Sequence, residues 1–137
     1  MSFFGIPVHF LLVHFPIGLA LTAAFVDCRG RLSRTADRYD TGYRLTMGAA
    51  AGAALAAVTG MQLLGGRTGN PSAAMHAAAG LIVTVSLVVL AAIRYSARAR
   101  QTDMDEPLPI LWLALELFAA AAVIAAAITG HRFALSL

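Results

Sequence analysis

The chain has 137 residues, of which 59% are hydrophobic and 12% charged, and its ten arginines, with no lysine, outnumber seven acidic residues for a net charge of +3. This balance excludes an ordinary soluble domain and places the chain in a lipid bilayer. The lone Cys28 excludes an internal disulfide.

The first apolar run, residues 7–26, predicts a spanning helix of the ~20 residues needed to cross the hydrocarbon core. No basic residue precedes Cys28 and the run contains His9, His14 and Pro16, so it lacks the charged start and plain apolar body of a cleaved signal and is expected to stay as a helix. Pro16 removes a backbone hydrogen bond to residue 12 and is expected to bend that helix beside His14. Further runs at 43–64, 72–93 and 107–130 predict three more spanning helices. Pro7, Pro71 and Pro107 sit near helix starts, where a missing N–H costs little. Gly65-Gly66 and Gly130 are expected just past helix C-termini. The fold class is therefore an all-α integral membrane four-helix bundle, one transmembrane domain over 1–137.

Arg29, Arg31, Arg34, Arg38 and Arg44 fall between helices one and two, and Arg94, Arg98 and Arg100 between three and four. The other side has only Arg67 and Arg132, so the positive-inside bias predicts N-out/C-out orientation in a bacterial cytoplasmic (inner) membrane, crossed several times. These arginines could touch anionic headgroups and give no sign of nucleic-acid binding.

Two internal matches suggest a duplication. HFPIGLALT at 14–22 and HAAAGLIVT at 76–84 share a His-x-x-x-Gly-Leu-x-x-Thr frame, and Ala56–Gly60 matches Ala126–Gly130. Helix one would thus correspond to helix three and helix two to helix four, giving two αα-hairpins related by a pseudo-two-fold axis along the membrane normal. His14, Gly18 and Thr22 share one helix face, as do His76, Gly80 and Thr84. Gly48-x-x-x-Gly52 reads as a small-residue packing pattern.

The histidines carry the chemistry. All four lie on the outer side, with His14 and His76 as the deep pair and His9 and His131 shallower. A polar side chain in hydrocarbon is costly without a partner, so each is a candidate site. Two imidazoles facing across a bundle, each with a glycine one turn deeper, suit the two axial positions of a haem iron. No CxxCH motif occurs, so such a haem would be non-covalent haem b. Thr22, Thr84, Thr59 and Thr129, with Gly60 beside them, could support the ligands, although threonines inside helices commonly bond their own backbone. A zinc or copper site using His9 or His131 in addition is a second reading. Plain hydrogen bonding to neighbouring helices is a third. His9 and His14 are about 140° apart at ~100° per residue, so only one of them faces inward on a straight helix. Glu116 is the one acidic residue inside a predicted span; with no basic residue at similar depth, it is expected to keep its proton or accept hydrogen bonds.

The stretch LVHFPIGLALTAAFVD at 12–27, Thr59-Gly60 and His76 at the head of helix three resemble a bacterial family of small four-helix membrane proteins known as a domain of unknown function. Its His-x-Pro-x-Gly core is matched by His14, Pro16 and Gly18. After helix four the chain departs from the family, ending in HRFALSL in place of a Gly-Gly and histidine segment. Some members are joined to Rieske-type domains, which implies an electron-transfer setting. The expected function is a haem b electron-transfer protein, or redox subunit of a larger complex, with a periplasmic or quinone partner and other membrane subunits or a second copy as neighbours. An accessory subunit whose histidines only hydrogen-bond is the alternative, and a small transporter is a third. A stand-alone catalyst is not expected.

Overall fold

A computed structural model describes residues 2–3, 6–33, 36–64, 71–100 and 110–134. A two-residue antiparallel ladder, β1 (Ser2–Phe3) with β2 (Ile6–Pro7), leads into four helices: α1 (Val8–Ser33), α2 (Ala36–Leu64), α3 (Pro71–Ala99) and α4 (Ile110–Ala134). All four are long and apolar enough to span a bilayer, so the chain is a multi-pass membrane protein.

The helices run past the limits set by hydropathy. α1 continues seven residues beyond Val26, α2 begins before Tyr43, and α3 reaches Ala99 rather than ending at Ile93. Hydropathy stops at the first charges, but arginine is a good helix former and these charges find partners, so the backbone has no reason to stop. Gly130 lies inside α4 rather than after it. Pro71 opens α3, Pro7 immediately precedes α1, and α1 is continuous through the buried Pro16. Pro107 and Gly65-Gly66 lie outside the described residues.

The four helices close into a ring in which α1 packs most extensively on α2 and α3 on α4, with α2 also against α3 and α1 against α4. Small residues permit the close α1/α2 approach: a Cβ on Gly48 would lie 2.9 Å from Leu19 Cδ1, and one on Gly52 3.2 Å from Phe15 Cδ1 and Pro16 Cδ. In lipid, such packing drives helix association because the bilayer offers no hydrophobic penalty for exposure.

Large apolar side chains face outward as lipid requires, while the mostly small apolar interior also holds four polar groups. Phe15, Phe25, Leu81 and Phe118 point outward, whereas Asp27, Thr46, Arg94 and Glu116 are buried. Between these polar groups and the histidines lies an apolar layer containing Ala20, Ala49, Ala53, Val83, Leu87, Ala119 and Val123.

Burial also fixes the register of the duplication. Buried positions 16, 20, 23, 24 and 27 of α1 recur as 83, 87, 90, 91 and 94 of α3, each 67 residues on. Buried positions 46, 49, 50 and 53 of α2 recur as 116, 119, 120 and 123 of α4, each 70 residues on. The α2/α4 register matches the Ala56–Gly60 and Ala126–Gly130 alignment. The α1/α3 register does not match the 62-residue spacing of the two histidine frames. It pairs His76 with His9, and Asp27 with Arg94.

Candidate functional site

At the histidine end, each hairpin builds the same arrangement. The Nδ1–H of His9 donates to the Ala56 carbonyl at 3.0 Å and lies 3.3 Å from Thr59 Oγ1. Thr59 in turn donates to its own helix, at 3.1 Å from the carbonyls of Leu55 and Ala56. In the second hairpin His76 Nδ1 lies 3.4 Å from Thr129 Oγ1, whose hydroxyl donates to the Ala126 carbonyl at 3.0 Å. The Thr129 lone pair therefore faces a His76 Nδ1–H. The rings occupy space that only glycine leaves open: a Cβ on Gly60 would fall 2.9 Å from His9 Cε1, and one on Gly130 2.8 Å from His76 Cε1. The two half-buried imidazoles then meet across the bundle, with centroids 6.3 Å apart and planes at 73°. Both rings are held through Nδ1, the hydrogen bonding that directs Nε2 toward a ligand role in metal-binding histidines.

The expected pair, His14 with His76, is not brought together. His14 is exposed on the outside of α1, its Nδ1–H donating to the Phe10 carbonyl at 2.6 Å. Gly18 and Thr22 share that outward face, as their spacing requires, and Thr22 bonds back to the Gly18 carbonyl at 2.8 Å. Thr84 bonds back to Gly80 at 2.9 Å and reaches the Ala53 carbonyl of α2 at 3.4 Å. Neither Gly18 nor Gly80 makes room for a neighbour, since a Cβ on either would meet nothing within 4 Å. His131 is exposed, and among the described residues no three histidine, cysteine or acidic side chains gather as a metal site. Thr59, Gly60 and Thr129 remain in the site, around His9 and His76.

The arginine end holds a second polar layer, with one residue from each helix. Arg94 Nη1 donates to Asp27 Oδ2 at 2.5 Å, Thr46 Oγ1 at 3.0 Å and Glu116 Oε1 at 3.1 Å. Thr46 donates to the Gly42 carbonyl at 2.9 Å and lies 3.3 Å from Glu116 Oε1. All four side chains are at most 4% exposed. Gly42 makes the room, because a Cβ there would overlap the Asp27 carboxylate. Closer to the end, Asp40 pairs with Arg98 and Arg44, and the Arg98 guanidinium lies 4.8 Å from the centre of the Tyr43 ring. About 27 Å separates the two layers, from the helical rise between residues 9 and 27.

A family model described as predicted membrane protein (DUF2231) matches residues 5–137. The chain belongs to the DUF2231 family. No curated protein and no solved structure matches it. The match extends over α4 and the tail, so the altered ending does not set this DUF2231 member apart from the family model.

In this DUF2231 chain the expected isolation of Glu116 is overturned: Arg94 lies at its depth and pairs with it. Asp27 is a second acidic residue within a span and pairs with the same guanidinium. The sequence carried a usable clue, because Asp27 and Arg94 occupy corresponding positions once α1 and α3 are aligned by burial. An apolar-run count that stops at Val26 and Ile93 discards both.

Proposed function

We propose that the protein is an electron-transfer subunit of the bacterial inner membrane in which His9 and His76 are the axial ligands of a b-type haem. One observation carries this reading: two imidazoles from opposite helices, each anchored through Nδ1, face one another with centroids 6.3 Å apart. Imidazoles on opposite sides of one metal ion, each about 2 Å from it, have ring centres roughly 6 Å apart. With two protein ligands, and no third among the described residues, the metal must bring its remaining ligands with it. Haem does so, whereas a structural zinc site takes four from the protein. The arginine distribution supports a periplasmic position for the histidine end, where a periplasmic protein or a quinone would exchange electrons with the site, within a larger membrane assembly.

Absorption spectra of the purified protein, oxidised and dithionite-reduced, test the proposal. A reduced α band lost in His9→Ala and in His76→Ala, and kept in His14→Ala, supports it. A folded protein from haem-supplied cells that stays colourless overturns it. The hydrogen bonds of His9 and His76 to Ala56, Thr59 and Thr129 would then stand as helix-to-helix links of an accessory subunit.

A further inference from the structure

The layer at the arginine end is independent of the histidine pair, and its charges do not balance. Two carboxyl groups, those of Asp27 and Glu116, contact a single guanidinium nitrogen. With both ionised, the cluster carries a net charge of −1 inside a membrane-spanning bundle. A buried uncompensated charge is strongly disfavoured, and hydrocarbon outside the bundle offers no relief. The other titratable and charged groups on the adjoining turns do not correct the balance. α1 adds the half-buried thiol of Cys28 and, toward the helix end, Arg29 and Arg31, neither of which reaches Asp27 Oδ1; α2 adds Tyr43 and Asp40, the latter already paired with Arg98 of α3 and Arg44; and α3 adds the exposed Tyr95. On α4, Glu116 is the only such group near this layer among the described residues.

A second observation locates the imbalance. Asp27 is fully buried, and its Oδ1 has no hydrogen-bond partner. Buried carboxylate oxygens are ordinarily satisfied, so a bare one calls for a reason. Oδ2 of the same group is held by Arg94 and Oε1 of Glu116 by Arg94 and Thr46. We infer that the Asp27–Arg94–Glu116 cluster is a proton-binding site, in which the two carboxyl groups hold one exchangeable proton between them. The proton leaves a neutral cluster of one carboxylate, one carboxylic acid and one guanidinium. Because the carboxyls share a partner, uptake and release belong to the pair rather than to either residue. Arg94 anchors the site from α3, Thr46 orients it from α2, and Gly42 leaves it the space it needs.

Infrared difference spectroscopy of the full chain in lipid nanodiscs, in light and heavy water at neutral pH, reads the proton directly. The expected result is a protonated carboxyl stretch, shifted by heavy water, that disappears as pH is raised. Asp27→Asn and Glu116→Gln should each remove or displace it, and Asp40→Asn should not. If the amide variants fail to fold, wild-type protein made with heavy-isotope aspartate or glutamate assigns the band without any substitution. No protonated carboxyl band in folded wild-type protein overturns the inference, as does a band that survives both amide variants or moves with neither label.

Discussion

His9 and His76, 67 positions apart in the chain, meet ring to ring across the bundle, each seated over the glycine that ends an Ala-Ala-x-Thr-Gly segment. In the burial register of α1 and α3 they occupy corresponding positions of the two hairpins. Their neighbours, Thr59 with Gly60 and Thr129 with Gly130, correspond in the same way, so the site is built twice around one axis.

Gly60→Ala and Gly130→Ala each force an imidazole aside, because the new methyl would sit 2.9 or 2.8 Å from ring carbon. Overpacking of this kind costs about 1–3 kcal/mol. Thermal unfolding in detergent should show a lower midpoint for each. The double variant should deviate from additivity, because the two ring centroids lie only 6.3 Å apart.

Gly18→Ala and Gly80→Ala should behave differently from those two, although all four glycines lie in helices. Nothing stands within 4 Å of the added methyl, and alanine is the better helix former by about 1 kcal/mol. The same unfolding measurement should find these variants unchanged or slightly more stable.

Arg94→Met removes the one cation that two buried carboxyl groups share. Breaking a buried pair from one side costs about 3–5 kcal/mol, since the remaining charge is stranded. A triple variant that also carries Asp27→Asn and Glu116→Gln should recover most of that loss. Chemical unfolding of wild type, Arg94→Met, the Asp27→Asn/Glu116→Gln double variant and the triple variant would measure the coupling, and a triple variant no more stable than Arg94→Met would refute the ion-pair account.

Arg98→Ala should matter far less. Its pairing with Asp40 is partly exposed, with 45% and 35% of the two side chains accessible, and such pairs contribute about 0–1 kcal/mol. Its unfolding midpoint should sit close to wild type, well above that of Arg94→Met.

Much of the architecture is legible in the sequence, because a bilayer demands long apolar helices and the apolar runs supply four. The duplication was half legible. Its α2/α4 register shows in Ala56–Gly60 and Ala126–Gly130, where small residues and a threonine recur at one spacing. The shared frame of letters points to the wrong α1/α3 register: His14, Gly18 and Thr22 do share a face, but that face turns outward. Identity of letters cannot say which stripe of a helix faces its partners. The recurrence of buried positions does, and it moves the histidine pair from His14 to His9.

Composition and hydropathy alone require a membrane protein of four helices, with histidines at one end and arginines at the other, since the cost of polar groups in hydrocarbon acts on composition alone. Which side chains meet is settled by packing. Helix rotation is set by packing against neighbours, and rotation brings His9 to His76 while leaving His14 outside. Packing likewise carries Asp27 and Arg94, charges that mark the end of an apolar run, into a shared buried layer with Thr46 and Glu116. There their energy depends on partners up to 67 residues away.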